Sequence, residues 1–132
     1  MAATKDRMVP QRDGRRYGYP VKGATRIFAR SLVGVTAAGL AVPAGTVGAV
    51  VIVGFAAHHA DNRFGPDADG IINAERGVLP FAFAGTAPTP ANIGATVYAV
   101  DDETVSLDSS SGTRLAAGKL DGIEGSIFWV RV

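Results

Sequence analysis

The stretch Ser31–Ala57, SLVGVTAAGLAVPAGTVGAVVIVGFAA, decides the fold because it carries no charged side chain over its whole length. About 20 apolar residues are enough for a helix that crosses a bilayer, so one interpretation is a membrane helix between two tails. Repeated glycines and Pro43 favour β-structure instead, because a helix interior loses about 1 kcal/mol per Gly and about 3 kcal/mol per Pro relative to Ala. Membrane helices tolerate both residues, so composition leaves both interpretations open.

The order of residues within this stretch favours β-structure. Short apolar runs lie at Leu32–Val35, Leu40–Val42 and Val47–Phe55. They are separated by Ala38-Gly39 and by Pro43–Thr46. Apolar runs punctuated by Gly and Pro are typical of strands joined by turns. We therefore predict three strands and two turns in this part of the chain.

The composition indicates a globular, β-rich domain. The chain has 132 residues, of which 47% are hydrophobic and 19% charged, and this size and balance are typical of one folded domain. Gly, Ala and Val are abundant while Leu is scarce, which favours strands and turns over a helical bundle. The absence of cysteine excludes disulfides and thiolate metal sites.

Further strand candidates follow the same pattern along the chain. Together they predict an all-β fold, either a small β-barrel or a two-sheet sandwich, of about eight short strands. The segment Asp101–Glu103 is the acidic loop of a predicted hairpin, and Thr89-Pro90 suits the start of a single helical turn. Trp129, the only tryptophan, is predicted to anchor the core. The candidate strands outside the uncharged stretch are Thr25–Val35 (which runs into it), Gly70–Glu75, Val78–Ala84, Ala95–Val100, Thr104–Leu107, Leu115–Ile123 and Ile127–Val132.

The charge is unevenly distributed between the two ends of the chain. Residues 1–30 carry eight basic and two acidic side chains, whereas residues 31–132 carry five basic and ten acidic ones. Residues 1–24 also lack a hydrophobic period and contain Pro10 and Pro20. We therefore predict an extended, basic N-terminal arm over residues 1–24 and a folded body over residues 25–132.

The arm has three open interpretations: a solvated tail, a nucleic-acid-binding arm, and a segment that docks on a partner protein. Arg and Tyr suit phosphate contact and base stacking. Asp6 and Asp13 interrupt the positive charge, however, and no nucleic-acid-binding motif accompanies it, so a nucleic-acid partner is not expected. The candidate partner-binding residues are Arg12, Arg15, Arg16, Tyr17, Tyr19 and Lys22.

The sequence contains no evident catalytic constellation, so neither an enzyme nor a cofactor is expected. His58 and His59 are adjacent, and adjacent strand residues point to opposite faces, so they suit one metal ion poorly and we predict a loop. The carboxylates of residues 101–103 lie at a hairpin tip, where a solvated turn is favoured over acid–base chemistry. The chain has no nucleophile triad, phosphate-binding loop or metal-ligand spacing.

The order of motifs resembles the small capsid decoration, or cement, proteins of tailed bacteriophages. In that family a run of strands ends in a hairpin of the form G..VY.VDD..V, followed by an aGk..gi segment and a wV.v terminus. The resemblance covers roughly residues 25–132 and leaves the basic arm outside it. The matching positions here are Gly94, Val97, Tyr98, Val100, Asp101, Asp102, Val105, Gly118, Lys119, Gly122, Ile123, Trp129, Val130 and Val132.

The resemblance implies a β-barrel-like body and a homo-oligomer, often a trimer, on the outer surface of the phage head. It implies that the major capsid protein is the partner. No membrane partner is expected, because the residue pattern of Ser31–Ala57 favours strands over a membrane helix. The expected function is therefore that of a structural virion protein that stabilises the capsid lattice. The alternative is a nucleic-acid- or carbohydrate-binding adaptor that uses the basic arm.

Overall fold

A computed structural model describes residues 2–132 of the chain. Its regular structure is almost entirely β-strand, which confirms the predicted all-β class. The one helical element among these residues is the 3-10 turn Pro90–Asn92, which starts after Thr89 as predicted. The strands are β1 (Arg16–Pro20), β2 (Thr25–Ile27), β3 (Leu32–Thr36), β4 (Ala41–Pro43), β5 (Ala49–Ala56), β6 (Ala60–Asn62), β7 (Ile71–Glu75), β8 (Val78–Pro80), β9 (Ala82–Phe83), β10 (Thr96–Ala99), β11 (Thr104–Ser106), β12 (Ala116–Glu124) and β13 (Ile127–Arg131).

The strands form two sheets and a ribbon. The five-stranded sheet has the order β1-β7-β5-β3-β4, and the six-stranded sheet has the order β8-β13-β12-β10-β11-β9. Strands β2 and β6 pair with each other and form the two-stranded ribbon. Neither sheet closes on itself within residues 2–132. Of the two predicted architectures, the structure therefore shows the sandwich.

The structure has more strands than the predicted eight, partly because two predicted runs are interrupted. The run Thr25–Val35 divides at Arg30, whose φ of 67° lies in the left-handed region and cannot continue a strand. The run Val78–Ala84 divides at Phe81, where the chain leaves β13 and turns to pair with β11. Each division sends the two halves of a run to different partners.

The uncharged stretch forms β3, β4 and β5, so the predicted strands and turns are confirmed. β3 lies between the other two and is antiparallel to both. Gly54 on β5 is required by close packing, because a Cβ at this position would lie 2.4 Å from the carbonyl oxygen of Glu75. Within residues 2–132, no helix is long and apolar enough to cross a membrane.

The core consists of two clusters, one on each face of the five-stranded sheet. Leu32 on β3 points into the first cluster, which it shares with residues of the six-stranded sheet such as Val97 and Val130. The next residue, Val33, points the opposite way into the second cluster, together with Ile27 of the ribbon and Ile72 of β7. Both faces of β3 are thus covered, which explains why its sequence is apolar at successive positions.

The prediction that Trp129 anchors the core is wrong. Trp129 is half-buried, while its neighbour Val130 is fully buried in the cluster between the sheets. Because strand side chains alternate between faces, the burial of Val130 places Trp129 on the outer face of the six-stranded sheet. There it lies opposite Gly122 on β12 and Pro80 on β8. A local run of apolar residues does not reveal which of them faces inward.

The predicted arm is also too long. β1 pairs with β7 along its whole length, from Arg16 opposite Glu75 to Pro20 opposite Ile71. The next residue, Val21, is fully buried in the second cluster. The body therefore begins at residue 16 rather than 25. Pro20 is compatible with this because β1 is an edge strand, where a missing backbone donor is tolerated.

Candidate partner-binding surface

The start of β1 carries an ion pair across the edge of the five-stranded sheet. Arg16 and Glu75 are directly opposite in the register, and the Arg16 guanidinium donates a hydrogen bond to the Glu75 carboxylate. Opposite charges in directly facing positions stabilise a pair of strands by about 0.2–1 kcal/mol. The pair fixes the position at which the basic segment leaves the sandwich.

The side chains of Arg12 and Arg76 both lie over the Tyr17 ring. The guanidinium carbon of Arg12 lies 4.3 Å from the ring centroid and that of Arg76 lies 6.0 Å from it. The backbone N–H of Arg76 donates to the carbonyl of Arg15 at 2.8 Å, which holds the two segments together. Each cation–π contact at such an exposed site contributes about 0.5–1 kcal/mol. We call this group the basic root: Arg12, Arg15, Arg16, Tyr17 and Arg76.

The structure brings together four of the six predicted site residues and separates the other two. Arg12, Arg15, Arg16 and Tyr17 belong to the basic root, but Tyr19 packs against the second core cluster. Lys22 lies beyond β1, where its backbone N–H donates to the carbonyl of Ala41. Tyr19 packs against that cluster because it lies opposite the fully buried Ile72.

Sequence reasoning missed Arg76. It is distant in sequence from the other arginines and joins them because β7 pairs with β1. The sequence contains no signal for this pairing. β1 and β7 are far apart along the chain, and the contact exists only once the two strands are paired in register. The end of β7 therefore adds both the guanidinium of Arg76 and the carboxylate of Glu75 to the group of residues around Tyr17.

Residues 2–14, which we call the arm, project from the basic root. Arg12 donates a hydrogen bond to the carbonyl of Arg16 at 3.4 Å, and the backbone of residues 2–13 forms none with the sheets. Met8 is 96% exposed and Val9 is 58% exposed. These two apolar side chains lie between the basic residues Arg7 and Arg12. The arm thus offers apolar and cationic groups that its own chain leaves uncovered.

A second surface with arginine and aromatic side chains lies on the ribbon and was missed in the sequence. The Arg26 guanidinium lies 4.6 Å from the Phe28 ring, and the His59 ring lies 5.6 Å from the same ring. Arg63 lies 5.5 Å from the ring of Phe64, which is almost fully exposed. The closeness of Arg26 to Phe28 and of Arg63 to Phe64 in the sequence is the signal that was available.

The hydrogen bonds of this second surface are structural. Two side-chain nitrogens of Arg63 donate to Asp61, and these hydrogen bonds hold the pKa of the Asp61 carboxyl well below its ordinary range. Nε2 of His59 accepts from Arg26 at 2.8 Å, and Nε2 of His58 accepts from the backbone N–H of Asn73 at 3.2 Å. The two histidines lie in a loop, as predicted, and residues 2–132 contain no cluster of His, Cys, Asp and Glu suited to a metal ion.

The acidic tip of the β10–β11 hairpin has a structural role too. The Asp101 carboxylate accepts from the backbone N–H groups of Glu103 and Thr104 at 2.9 and 2.7 Å, which forms the predicted turn. The carbonyl of Asp102 accepts from the N–H of Leu32, which ties the tip to β3. Burial, followed by the charges of Asp101 and Glu103, raises the pKa of the Asp102 carboxyl.

Comparisons of the chain with protein-family models, with curated proteins and with solved structures found no match. Arg and Tyr are among the residue types that most often supply binding energy at protein interfaces. The basic root and the arm have this composition on an exposed edge, so they form the candidate partner-binding surface.

Proposed function

We propose that this protein is a structural virion protein that binds the outer surface of a tailed-phage head and stabilises the lattice of the major capsid protein. The resemblance over residues 25–132 supports this function, and so does an all-β body that ends in an exposed arm. The same resemblance supports a homo-oligomer, often a trimer. The observation that carries the proposal is the basic root, which presents Tyr17 with two stacked arginines at the point where the arm leaves the sandwich.

The physical basis is preferential binding to the assembled state. A protein that binds the lattice but not free capsid subunits stabilises the lattice by mass action. Many copies on a symmetric surface increase the effect, since each bound copy that bridges two subunits raises the local concentration of the next contact. Such a protein requires a rigid body and an adhesive segment, and it requires no catalytic site.

The arm supplies the adhesive segment in this proposal. An extended peptide can add a strand to an exposed sheet edge, where main-chain hydrogen bonds supply affinity and alternate side chains supply specificity. Met8 and Val9 are exposed apolar side chains that a partner can bury. Ordering the arm costs conformational entropy, so attachment requires the basic root to contribute fixed contacts next to it.

The experiment is co-sedimentation of the purified protein with phage heads that lack their decoration protein. The full chain should sediment with the heads, and a variant lacking residues 2–14 should lose most of this binding while keeping its circular dichroism spectrum. Arg12→Lys is the matched control for Arg12→Ala, because Lys keeps the charge but loses the planar guanidinium that stacks on Tyr17. Equal binding of the truncated and full chains would show that the arm does not attach the protein.

The basic root also favours a second candidate function, a nucleic-acid-binding adaptor. The basic root contains four arginines, two of which lie over the Tyr17 ring and one of which pairs with the carboxylate of Glu75. A protein that neutralises several phosphates loses affinity steeply as the salt concentration rises. A gel shift with double- and single-stranded DNA at two salt concentrations tests this function. Tight, strongly salt-dependent binding together with no binding to heads would favour the adaptor.

A further inference from the structure

The loop between β6 and β7 begins at a buried side chain whose oxygen accepts no hydrogen bond. Asn62, the last residue of β6, is 5% exposed. Its Nδ2 donates to the backbone carbonyls of Val21, Lys22 and Pro66 at 3.2, 3.2 and 2.8 Å. These three acceptors fix the orientation of the amide, so that Oδ1 points away from them. Within residues 2–132 no donor reaches Oδ1, although polar atoms of buried side chains usually have a partner.

The Asn62 oxygen and the Asp69 carboxylate converge in front of the Cα of Gly65. A Cβ built on Gly65 would lie within 2.5 Å of both Asn62 Oδ1 and Asp69 Oδ2. Two oxygens this close to one point are at most about 5 Å apart, which is no more than twice a Ca²⁺–oxygen distance of about 2.3–2.6 Å. Any side chain at position 65 would fill the space between them. We call Asn62, Gly65 and Asp69 the oxygen cradle.

The negative charge of this loop is only partly neutralised. The loop arginine, Arg63, is paired with Asp61. Asp67 and Asp69 belong to no ion pair in the part of the chain that the structure describes. One oxygen of Asp67 accepts from the backbone N–H of Gly23 at 2.8 Å, which leaves its charge in place. The cradle therefore lies in a loop with two carboxylates that have no cation beside them.

We propose that the oxygen cradle binds a calcium ion through Asn62 Oδ1 and the Asp69 carboxylate, with water completing the coordination. Carboxylate and amide oxygens in an irregular loop suit Ca²⁺, whereas Mg²⁺ requires near-ideal octahedral geometry and softer metals prefer nitrogen or sulfur ligands. The ion lies farther from the Gly65 Cα than a Cβ would. Asp67–Gly70 has the pattern D-x-D-G, which also occurs in calcium loops.

The affinity of this site should be low, because the chain supplies few of the six to eight oxygens that Ca²⁺ takes. We expect a Kd of about 10⁻⁴–10⁻³ M, the range of weak calcium modules. Asp69 is exposed, so the ion reaches the cradle from solvent. Asn62 and Asp69 meet only when the loop is folded, so the bound ion stabilises the folded state by mass action. The inference does not depend on the proposed function, because it concerns the purified protein alone.

The first test is titration of the isotope-labelled protein with calcium chloride at constant ionic strength, followed by the NMR chemical shifts of the backbone amides. Saturable shifts should centre on residues 62–70, with half-saturation between about 0.1 and 1 mM, and magnesium chloride should give weaker shifts. Shifts that do not saturate by about 10 mM, well above the expected Kd, would overturn the proposal. Shifts centred on the acidic loop at residues 101–103 would overturn it as well.

Substitution of Asp69 tests whether the cradle, rather than the net charge of the loop, attracts the ion. Asp69→Asn keeps the size of the side chain but removes the charged ligand, so it should weaken calcium binding at least about tenfold. Glu103→Gln is the matched control, because it removes one charge from an exposed carboxylate in a different acidic loop and should leave the affinity unchanged. Equal affinity of Asp69→Asn and the unmodified chain would show that the cradle is not the site.

The second test measures thermal unfolding with and without calcium, and it shows whether each variant is folded. A tenfold excess of calcium over Kd should raise the melting temperature of the unmodified chain and of Glu103→Gln by about 4–8 °C. The same calcium concentration should leave the melting temperature of Asp69→Asn nearly unchanged. A melting temperature of the unmodified chain that does not respond to calcium, or an equal rise in Asp69→Asn, would contradict the proposal.

Discussion

The arm and strand β1 are adjacent segments of similar composition, yet one lies outside the sandwich and the other within it. Both are basic, and each contains a proline. They differ in that Tyr17, Tyr19 and Val21 alternate with intervening residues at a period of two, and that β7 provides a matching edge. The comparison teaches that charge and proline do not distinguish an arm from a strand, whereas alternation together with a partner edge does.

Two N-terminal deletions, one that stops before β1 and one that removes it, should give the largest difference between these segments. Removal of residues 2–20 should abolish cooperative unfolding, because it removes β1 and uncovers Ile72 and Ala74 in a domain whose stability is about 5–15 kcal/mol. Removal of residues 2–14 should lower the melting temperature only slightly, because the contacts with the body that it removes are the cation–π contact and the hydrogen bond of Arg12. Thermal unfolding followed by circular dichroism checks both. A normal melt after the longer deletion would show that β1 is dispensable.

Single alanine substitutions compare the β1–β7 pair with the arm one side chain at a time. Ile72→Ala should lower the free energy of unfolding by about 2–5 kcal/mol, since this fully buried residue faces Tyr19 across the β1–β7 pair. Met8→Ala, on the arm, should change it by less than about 0.5 kcal/mol. Urea unfolding measures both values. Similar effects of the two substitutions would mean that the arm packs on the body.

Arginine substitutions test how much the arginines of the basic root contribute to the stability of the body. Arg16→Ala should cost up to about 1 kcal/mol of stability, because it removes an exposed ion pair with Glu75, and added salt should reduce this cost. Arg12→Ala should cost less, because it removes one cation–π contact and one long hydrogen bond. Chemical unfolding at low and high salt checks both. An effect of Arg16→Ala that is independent of salt would contradict the ion-pair explanation.

The smallest expected effect is on the pH dependence of stability. It is measured for a carboxyl in the body, that of Asp102, and for one on the arm, that of Asp13. The raised pKa of Asp102 means that folding favours its protonated form, so the penalty on stability grows as the pH rises from the unfolded value of 3.8 through the folded value and persists above it. Asp102→Asn should therefore raise stability at pH 7 by roughly a few tenths of a kcal/mol, since the side chain is only partly buried.

The pH dependence provides the control for Asp102→Asn. The gain should vanish near pH 3, where the carboxyl of Asp102 is protonated in both the folded and the unfolded states. Asp13→Asn, on the exposed arm, should have no effect at either pH because Asp13 makes no contact with the sheets. A gain from Asp102→Asn that is the same at both values would show that the carboxylate charge is not its cause.

Much of the fold was predictable because its signals are local. Gly and Pro in Ser31–Ala57 predict the turns between β3, β4 and β5, and the acidic loop at residues 101–103 predicts the β10–β11 hairpin. The candidate site was predictable in part, since Arg12 and Tyr17 meet within a few residues. Arg76 was not predictable, because its contact with Tyr17 requires β7 to lie beside β1.

The sequence by itself determined the class of the fold, the positions of the main turns and the basic character of the N-terminal region. Each of these properties depends on residues close together in the chain. Tertiary structure decided that β1 belongs to the body and that Val130 rather than Trp129 faces the core. These properties depend on which strands become neighbours and in what register, and pairing between distant segments is set by the burial of the whole sandwich rather than by any one segment.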